Sequence, residues 1–383
     1  MSAKNVLISG GSIGGTALAY WLTEYGFNVT IVEVTPEFRR GGQAIDVRGP
    51  ALEIARRMGI GDRLEAERLR MRGMSMVDAE GNEIYRNEEH TFTGGDLSKG
   101  DAEVLREDLA RMAADAVGDR VEWIYGDTIT AVQQDELGVT VDFREHDRRN
   151  FDLVIGADGL HSNTRRLVWG EVPFTMLGTY LGVWTVPNFL DLDNWQIFHM
   201  VPGASWGGGI ISVRDNTEAR FYAGFESAEP IDYDYRDQDA QKRLLASRLE
   251  GVGWIVPKAL ELMWEAPDFH FDPMAQVHLD TWSKGRVALI GDAAHCGSPM
   301  SGQGSSLALI DAYVLAGELR AASGDHEVAF AAYEKELREY VEANQRLAIQ
   351  NKARSEAQMR GEEPDLIGED FYEVVTSWTV KEY

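Results

Sequence analysis

The sequence predicts an α/β fold in which a discontinuous unit on a parallel sheet carries an antiparallel sheet and a long C-terminal helix. Three observations lead there. Short apolar runs end in glycine turns near residues 6–15, 151–159 and 285–304. Alternating, aromatic-rich runs cluster between residues 179 and 225. A helical pattern with few Gly or Pro runs from His326 to about Met359. Period-two alternation marks half-buried strands and 3.6-residue spacing marks helices, so the regions separate by period alone.

The first run, Val6-Leu7-Ile8-Ser9, reads as a buried parallel strand and stops at Gly10-Gly11-Ser12-Ile13-Gly14-Gly15. Ala17, Leu18, Trp21 and Leu22 follow at helical spacing, and Gly26 ends the helix. A second strand, Asn28–Val32, carries an acid at its end, Glu33, 18 residues beyond Gly15. This is the strand–turn–helix–strand–acid order of a dinucleotide-binding unit. Glycines let the backbone approach a pyrophosphate whose charge rests on the helix N-terminus, and the acid reaches ribose hydroxyls. Ser12 stands in the second glycine slot of G-x-G-x-x-G, and its hydroxyl is small enough to face a phosphate itself. The motif alone does not separate NAD from FAD.

Composition narrows the class. The chain has 383 residues, enough for two domains or one discontinuous domain with a satellite. Its formal net charge of −26 opposes binding to nucleic acid or an anionic membrane. No apolar run reaches the ~18 residues of a membrane span. The N-terminal residues lack the layout of a secretory signal. One cysteine, Cys296, supplies neither a disulfide framework nor a cysteine-cluster metal site, so no metal is expected. A cytoplasmic address is the simplest expectation.

Two later passages repeat the first theme. Phe151-Asp152-Leu153-Val154-Ile155 enters Gly156-Ala157-Asp158-Gly159, with Ser162 and Arg165 just beyond. Val287-Ala288-Leu289-Ile290 enters Gly291-Asp292-Ala293-Ala294-His295 and then Pro299-Met300-Ser301-Gly302-Gln303-Gly304, before a helix from Leu307 to Leu319. Asp292, at a strand's carboxyl end, suits a ribitol hydroxyl. The free amides around Gly302 to Ser305, at a helix start, suit an electron-rich flavin edge.

With the glycine loop, "GADG" and "GDAAH…PxxGQG" in register, the sequence resembles the single-component FAD-dependent aromatic hydroxylases, with an organisation like that of the tetracycline-inactivating monooxygenases. The resemblance implies a Rossmann-like FAD-binding domain made of residues 1–70, 98–172 and 275–322. It implies a substrate domain from 71–97 and 173–274, and a bridging helix and tail from 323–383. FAD contacts are then expected from Gly10, Ser12, Ile13, Gly14, Gly15, Glu33, Asp158, Asp292, Pro299, Gly302, Gly304 and Ser305. Arg106, in Glu103-Val104-Leu105-Arg106-Glu107-Asp108-Leu109, matches an arginine that reaches the FAD phosphates. The Arg39–Arg48 stretch resembles a loop beside the flavin, where Asp46 and Arg48 either contact cofactor or substrate or form an ordinary turn ion pair. Ser306 stands where the family often has asparagine, and a hydroxyl replaces one amide hydrogen bond but not two.

The runs Thr179–Val186, Trp195–Val201, Gly208–Val213 and Ala219–Phe225 read as an antiparallel sheet, with turns at Pro202-Gly203 and Asp215-Asn216. One face of such a sheet over a flavin makes an apolar pocket, for which Trp184, Phe221, Tyr222 and Met300 are the candidates by position. Gly253-Trp254-Ile255-Val256-Pro257 reads as a turn between helices. The C-terminal helix either braces the two domains or dimerises, and a monomer or weak dimer is expected.

The implied reaction is hydroxylation of an aromatic or polyketide-like molecule with NADPH or NADH as transient reductant and O2, through a flavin C4a-hydroperoxide. A FAD oxidoreductase or cyclase that inserts no oxygen is the alternative. The flavin carries the difficult chemistry, so no Ser-His-Asp or paired-carboxylate constellation is required. Tyr222, His199 and His161 are candidates for a base that deprotonates the substrate.

Overall fold

The computed structural model describes residues 4–38, 41–91, 97, 100–201, 204–359 and 370–383. Arg39-Arg40 and the turn at Pro202-Gly203 lie outside the described residues.

Val6, Leu7 and Ile8 are fully buried, as a strand covered on both faces must be. Their strand, Asn5–Ser9, runs parallel to Asn28–Glu33 on one side and Leu153–Gly156 on the other. Val287–Leu289 adds in parallel beyond Leu153–Gly156, and Glu122–Tyr125 beyond Asn28–Glu33. A short antiparallel strand, Ser283–Lys284, completes six. The register sets Ser9 beside Gly156 and Gly156 beside Leu289, so three chain segments leave the sheet at one edge.

Two glycines make that convergence possible. Gly10 has φ +106°, and a Cβ there would stand 2.5 Å from the Ala157 carbonyl oxygen. A Cβ on Gly15 would stand 1.9 Å from the Gly10 carbonyl oxygen, closing the approach of helix Ile13–Glu24 to its strand. That helix packs on the long helix Gly304–Ala321, with Leu18, Leu22, Ile310 and Val314 in one core.

The second sheet has seven strands in the order His270–Gln276, Thr175–Pro187, Glu218–Glu226, Ala204–Val213, Trp195–Val201, Gly73–Val77, Glu83–Asn87. All its pairings are antiparallel except one. Gly73–Val77 runs parallel to Trp195–Val201, because a long crossover rather than a hairpin joins them. Alternation along the strands gives two faces. Trp184 and Phe221 face a core shared with helices Gln238–Arg248 and Val256–Met263. Val183, Phe198 and Tyr222 face the opposite way, packing with Leu105 of a two-stranded ribbon, Ala44–Val47 with Ala102–Leu105.

Helix His326–Met359 spans both layers. Tyr333, Leu337 and Val341 enter the core of the parallel sheet, while Ala348 packs with Leu177 and Met274 of the second sheet. The brace expected of this helix is therefore present. Trp254, at φ +56°, sits in the turn between two helices. Among the described residues no helix is long and apolar enough to cross a membrane, and no cluster of His, Cys, Asp or Glu has the makings of a metal site.

Candidate functional site

Where the three parallel strands end against the second sheet, the chain encloses a cavity of about 380 Å³. Ser12, Ile13 and Gly14 line it from the first helix, and Asp46 and Arg106 from the ribbon and the helix that follows it. Asp292, Pro299, Met300, Gly302, Gly304 and Ser305 line it from the third glycine passage, and Tyr222 from the second sheet. Sequence positions hundreds of residues apart thus meet in one crevice outside the strand ends, where open α/β sheets bind ligands.

Four positions expected at the cofactor are not among the residues that line this cavity. Gly10 and Gly15 serve the close backbone approach described above. Glu33 accepts the Gly11 amide at 2.8 Å and the Thr35 amide at 3.0 Å, tying the glycine turn to the second strand. The Asp158 carboxylate accepts the Thr164 amide at 2.9 Å and the hydroxyls of Thr164, Ser162 and Ser9. It holds the start of helix Asn163–Trp169, while the neighbouring Gly159 reaches the cavity. Arg165 completes this support by donating to the carbonyls of Ala293 and Leu160.

Asp292 reaches the cavity from the first turn of a short helix. Protein packed around it raises its carboxyl from the ordinary value; the Cys296 thiol, His295 and Arg106 offset part of that rise. Burial and the adjacent Asp292 push the Cys296 thiol well up, so it stays protonated and is no nucleophile. His295 lies 3.0 Å from Asp311, which also accepts the Gly291 amide at 2.6 Å. These two are turn-packing residues.

Arg48 is fully buried and is an ion-pair residue: it meets Asp46 at 2.8 Å and Asp101 at 3.2 Å. Its guanidinium also donates to the Gly302 carbonyl at 3.3 Å. Ser306 accepts the Arg48 amide at 3.1 Å and donates to the Asp46 carbonyl at 3.4 Å. The residue that departs from the family pattern is therefore turned to the ribbon rather than to the cavity.

The substrate-side expectations are half corrected. Tyr222 and Met300 line the cavity, but Trp184 and Phe221 do not: they are fully buried on the other face, and the Trp184 indole donates to the Ala259 carbonyl at 3.1 Å. A one-residue step along a strand reverses the face, and sequence spacing alone did not say which face met the cavity. His199 is also off the cavity, its Nδ1 3.0 Å from the Val77 carbonyl and its ring beside Trp254. His161 lies 2.7 Å from Asp272 and stacks on Tyr235. Tyr222 accepts the Ala44 amide at 2.8 Å, and burial pushes its phenol far up, so it stays neutral and donates rather than acting as a base. Of the three candidate bases, only Tyr222 lines the cavity.

Residues not singled out in the sequence supply the rest of the wall. Met74, Met76, Leu181, Met274 and Phe371 make an apolar side, with His90, Thr91, Asn351 and Arg354 as polar neighbours. Methionine alternating along Gly73–Val77 was the one available signal. Gln43 and Gln303 also line the cavity.

The donor set fits FAD. Neither helix Ile13–Glu24 nor helix Gly304–Ala321 has a side-chain cap, so their first-turn amides remain for a ligand. Both carboxamide atoms of Gln303 are buried without a hydrogen-bond partner, an arrangement that a polar flavin edge would satisfy. Arg106 offers the positive charge that a pyrophosphate requires.

Comparison with known proteins agrees. A profile described as FAD binding domain matches residues 3–348. The chain is 48% identical over 382 residues to "Uncharacterized protein Rv1260" of Mycobacterium tuberculosis (strain ATCC 25618 / H37Rv), covering 99% of this chain and 100% of that one. It is 42% identical over 349 residues to a "Flavin-dependent monooxygenase" of an unknown prokaryotic organism, covering 90% and 89%. The crystal structure of tetracycline destructase Tet(51) superposes with a TM-score of 0.89 at 33% identity, covering 100% of both chains. The chain belongs to the FAD binding domain family of class A aromatic hydroxylases and is a flavin-dependent monooxygenase.

Proposed function

We propose that the protein uses NADPH or NADH and O2 to hydroxylate a flat, largely apolar aromatic or polyketide-like small molecule. In this reading residues 1–70, 98–172 and 275–322 hold FAD, and 71–97 with 173–274 hold the substrate. One observation carries the proposal: an apolar wall of Met74, Met76, Leu181, Met274 and Met300 borders the same cavity as the uncapped helix starts and Arg106. Methionine thioethers are soft and adaptable, so such a wall accepts planar rings without demanding one outline.

Bound FAD supplies the redox and oxygen chemistry that side chains lack. The chain's part is to bind, orient and exclude water. Arg106 and the first-turn amides at Ser12 to Gly14 suit the anionic end of the cofactor, Asp292 its sugar-alcohol hydroxyls, and Gln303 with the Gly304 helix start its ring edge. Tyr222 offers a neutral phenol donor at the boundary with the substrate side.

The test is NAD(P)H oxidation by the FAD-loaded enzyme in air, with and without a panel of phenols and polyketides, with products weighed by mass spectrometry. A substrate that accelerates oxidation and gains one oxygen atom supports the reading. Oxidation that no compound accelerates, with no oxygenated product, defeats it in favour of a flavoenzyme that inserts no oxygen.

A further inference from the structure

The stretch that supplies Arg106 places a second charged group near the cavity. Strand Ala102–Leu105 pairs antiparallel with Ala44–Val47, and the register sets Glu103 opposite Asp46. Side chains paired in this way share a face at about 5 Å. Asp46 lines the cavity; Glu103 is buried behind it.

Carboxylates crowd this pair. Asp46 and Asp101 both bind the buried Arg48 guanidinium, and Tyr372 donates to Asp101 at 2.8 Å. Glu103 is met from the second sheet by the Gln196 amide, at 3.0 and 3.1 Å from its two oxygens. Arg68 acts on it from the segment whose Leu69 amide binds the Glu103 carbonyl, and Tyr222 approaches from the second sheet. Arg48 is thus shared by two carboxylates, and a third sits opposite one of them. A buried carboxylate beside a like charge relieves the conflict by keeping its proton. Burial, then Asp46, push the Glu103 carboxyl up to about 8, with Arg48, Gln196 and Arg68 offsetting part of the rise.

Arg48 connects this cluster to the cofactor side. It holds the Gly302 carbonyl through its guanidinium and Ser306 through its backbone amide. An ionised Glu103 competes with Asp46 and Gly302 for that guanidinium.

We propose that Glu103 is a positioning acid whose neutral form keeps Arg48 on Asp46 and the Gly302 turn, and whose ionisation weakens the hold on an anionic cofactor. This rests on the reading of the cavity as the FAD site.

The test is FAD binding to the apoprotein, followed by flavin fluorescence from about pH 6.5 to about pH 9.5, for wild type and E103Q. Wild-type affinity is expected to fall about threefold through a midpoint near pH 8, the order of effect of one added charge at short range. E103Q is expected to lose that dependence and to bind at about pH 9 as wild type does at about pH 7. Infrared spectra of wild type are expected to show the C=O stretch of a buried protonated carboxyl at about pH 7 and its loss by about pH 9. An unchanged pH slope in E103Q overturns the proposal, as does absence of that band from wild type, a measurement that needs no variant to fold. Wild type that takes up no FAD at about pH 7 overturns the cavity reading, and this inference with it.

Discussion

The Arg106 guanidinium donates to the Ser12 hydroxyl across 2.8 Å, and both residues line the cavity. Ser12 occupies the N-cap of helix Ile13–Glu24, yet its side chain caps no amide of that helix. The hydroxyl in the glycine slot instead anchors the cation beside the helix start. A guanidinium next to uncapped amides is an anion site made of two parts, and either part is open to test.

Arg106→Ala removes a charge-assisted contact to the cofactor phosphates. Such bonds contribute about 1.5–3 kcal/mol, so FAD affinity is expected to fall on the order of tenfold or more. Ser12→Gly removes only the anchor and is expected to weaken binding by less than about tenfold. Fluorescence titration of the apoprotein measures both, and equal losses would contradict this division of labour.

Asp292→Ala is expected to lose FAD on gel filtration while keeping its circular dichroism. Retention equal to wild type would show that Asp292 does not hold the cofactor. Asp292→Asn, which keeps one acceptor in place, is expected to fall between the two.

Two adjacent glycines separate fold from site. A Cβ on Gly15 meets the Gly10 carbonyl oxygen at 1.9 Å, so Gly15→Ala is expected to unfold the chain or lower its melting temperature sharply. A Cβ on Gly14 meets nothing closer than 3.5 Å, so Gly14→Ala is expected to fold normally. Because Gly14 lines the cavity, its deficit is expected in FAD affinity instead. Thermal melts of the two apoproteins check this, and similar melting temperatures would refute it.

Trp184→Ala is expected to cost about 3–5 kcal/mol of stability, since it empties a fully buried site away from the cavity. The KM of whatever enzyme remains folded is expected to stay unchanged. Met300→Ala is expected to do the reverse, shifting KM with a smaller loss of stability, since Met300 is partly exposed at the cavity. Urea midpoints and steady-state kinetics decide.

Stability is expected to depend on pH through Glu103. Its carboxyl rises from an ordinary value of 4.5 to about 8 in the folded chain. Below about pH 4.5 both states hold the proton and the contribution is full. Between there and about pH 8 the folded state binds more protons than the unfolded one, so stability declines as pH rises. E103Q is expected to flatten that decline. Urea midpoints measured across the window test it, and parallel profiles would exclude Glu103 as the cause.

The cofactor half of the site was legible in the sequence because its chemistry is backbone chemistry. Glycine turns after strands declare where amides converge, and Asp292, Gly302 and Gly304 were named from position and do line the cavity, as does Pro299, which followed from the family pattern. Arg106 followed from the family pattern.

The substrate half was not legible. Trp184 and Phe221 were expected at the pocket by position and Met74, Met76 and Met274 were not singled out, yet alternate residues of a strand face opposite ways. Which face meets a ligand depends on what packs against each. Helices Gln238–Arg248 and Val256–Met263 took the aromatic face, leaving Tyr222 and the methionines to the cavity. Local period therefore determined the elements and the long C-terminal helix, the three motifs in register and the family they resemble determined the cofactor, and packing showed that the helix braces both layers. Tertiary packing alone decided which side of the second sheet meets the cavity, that the Asp158 carboxylate binds the start of helix Asn163–Trp169, and that Glu103 is buried opposite Asp46. Pairing register and burial are relations between distant segments, and no single segment carries them.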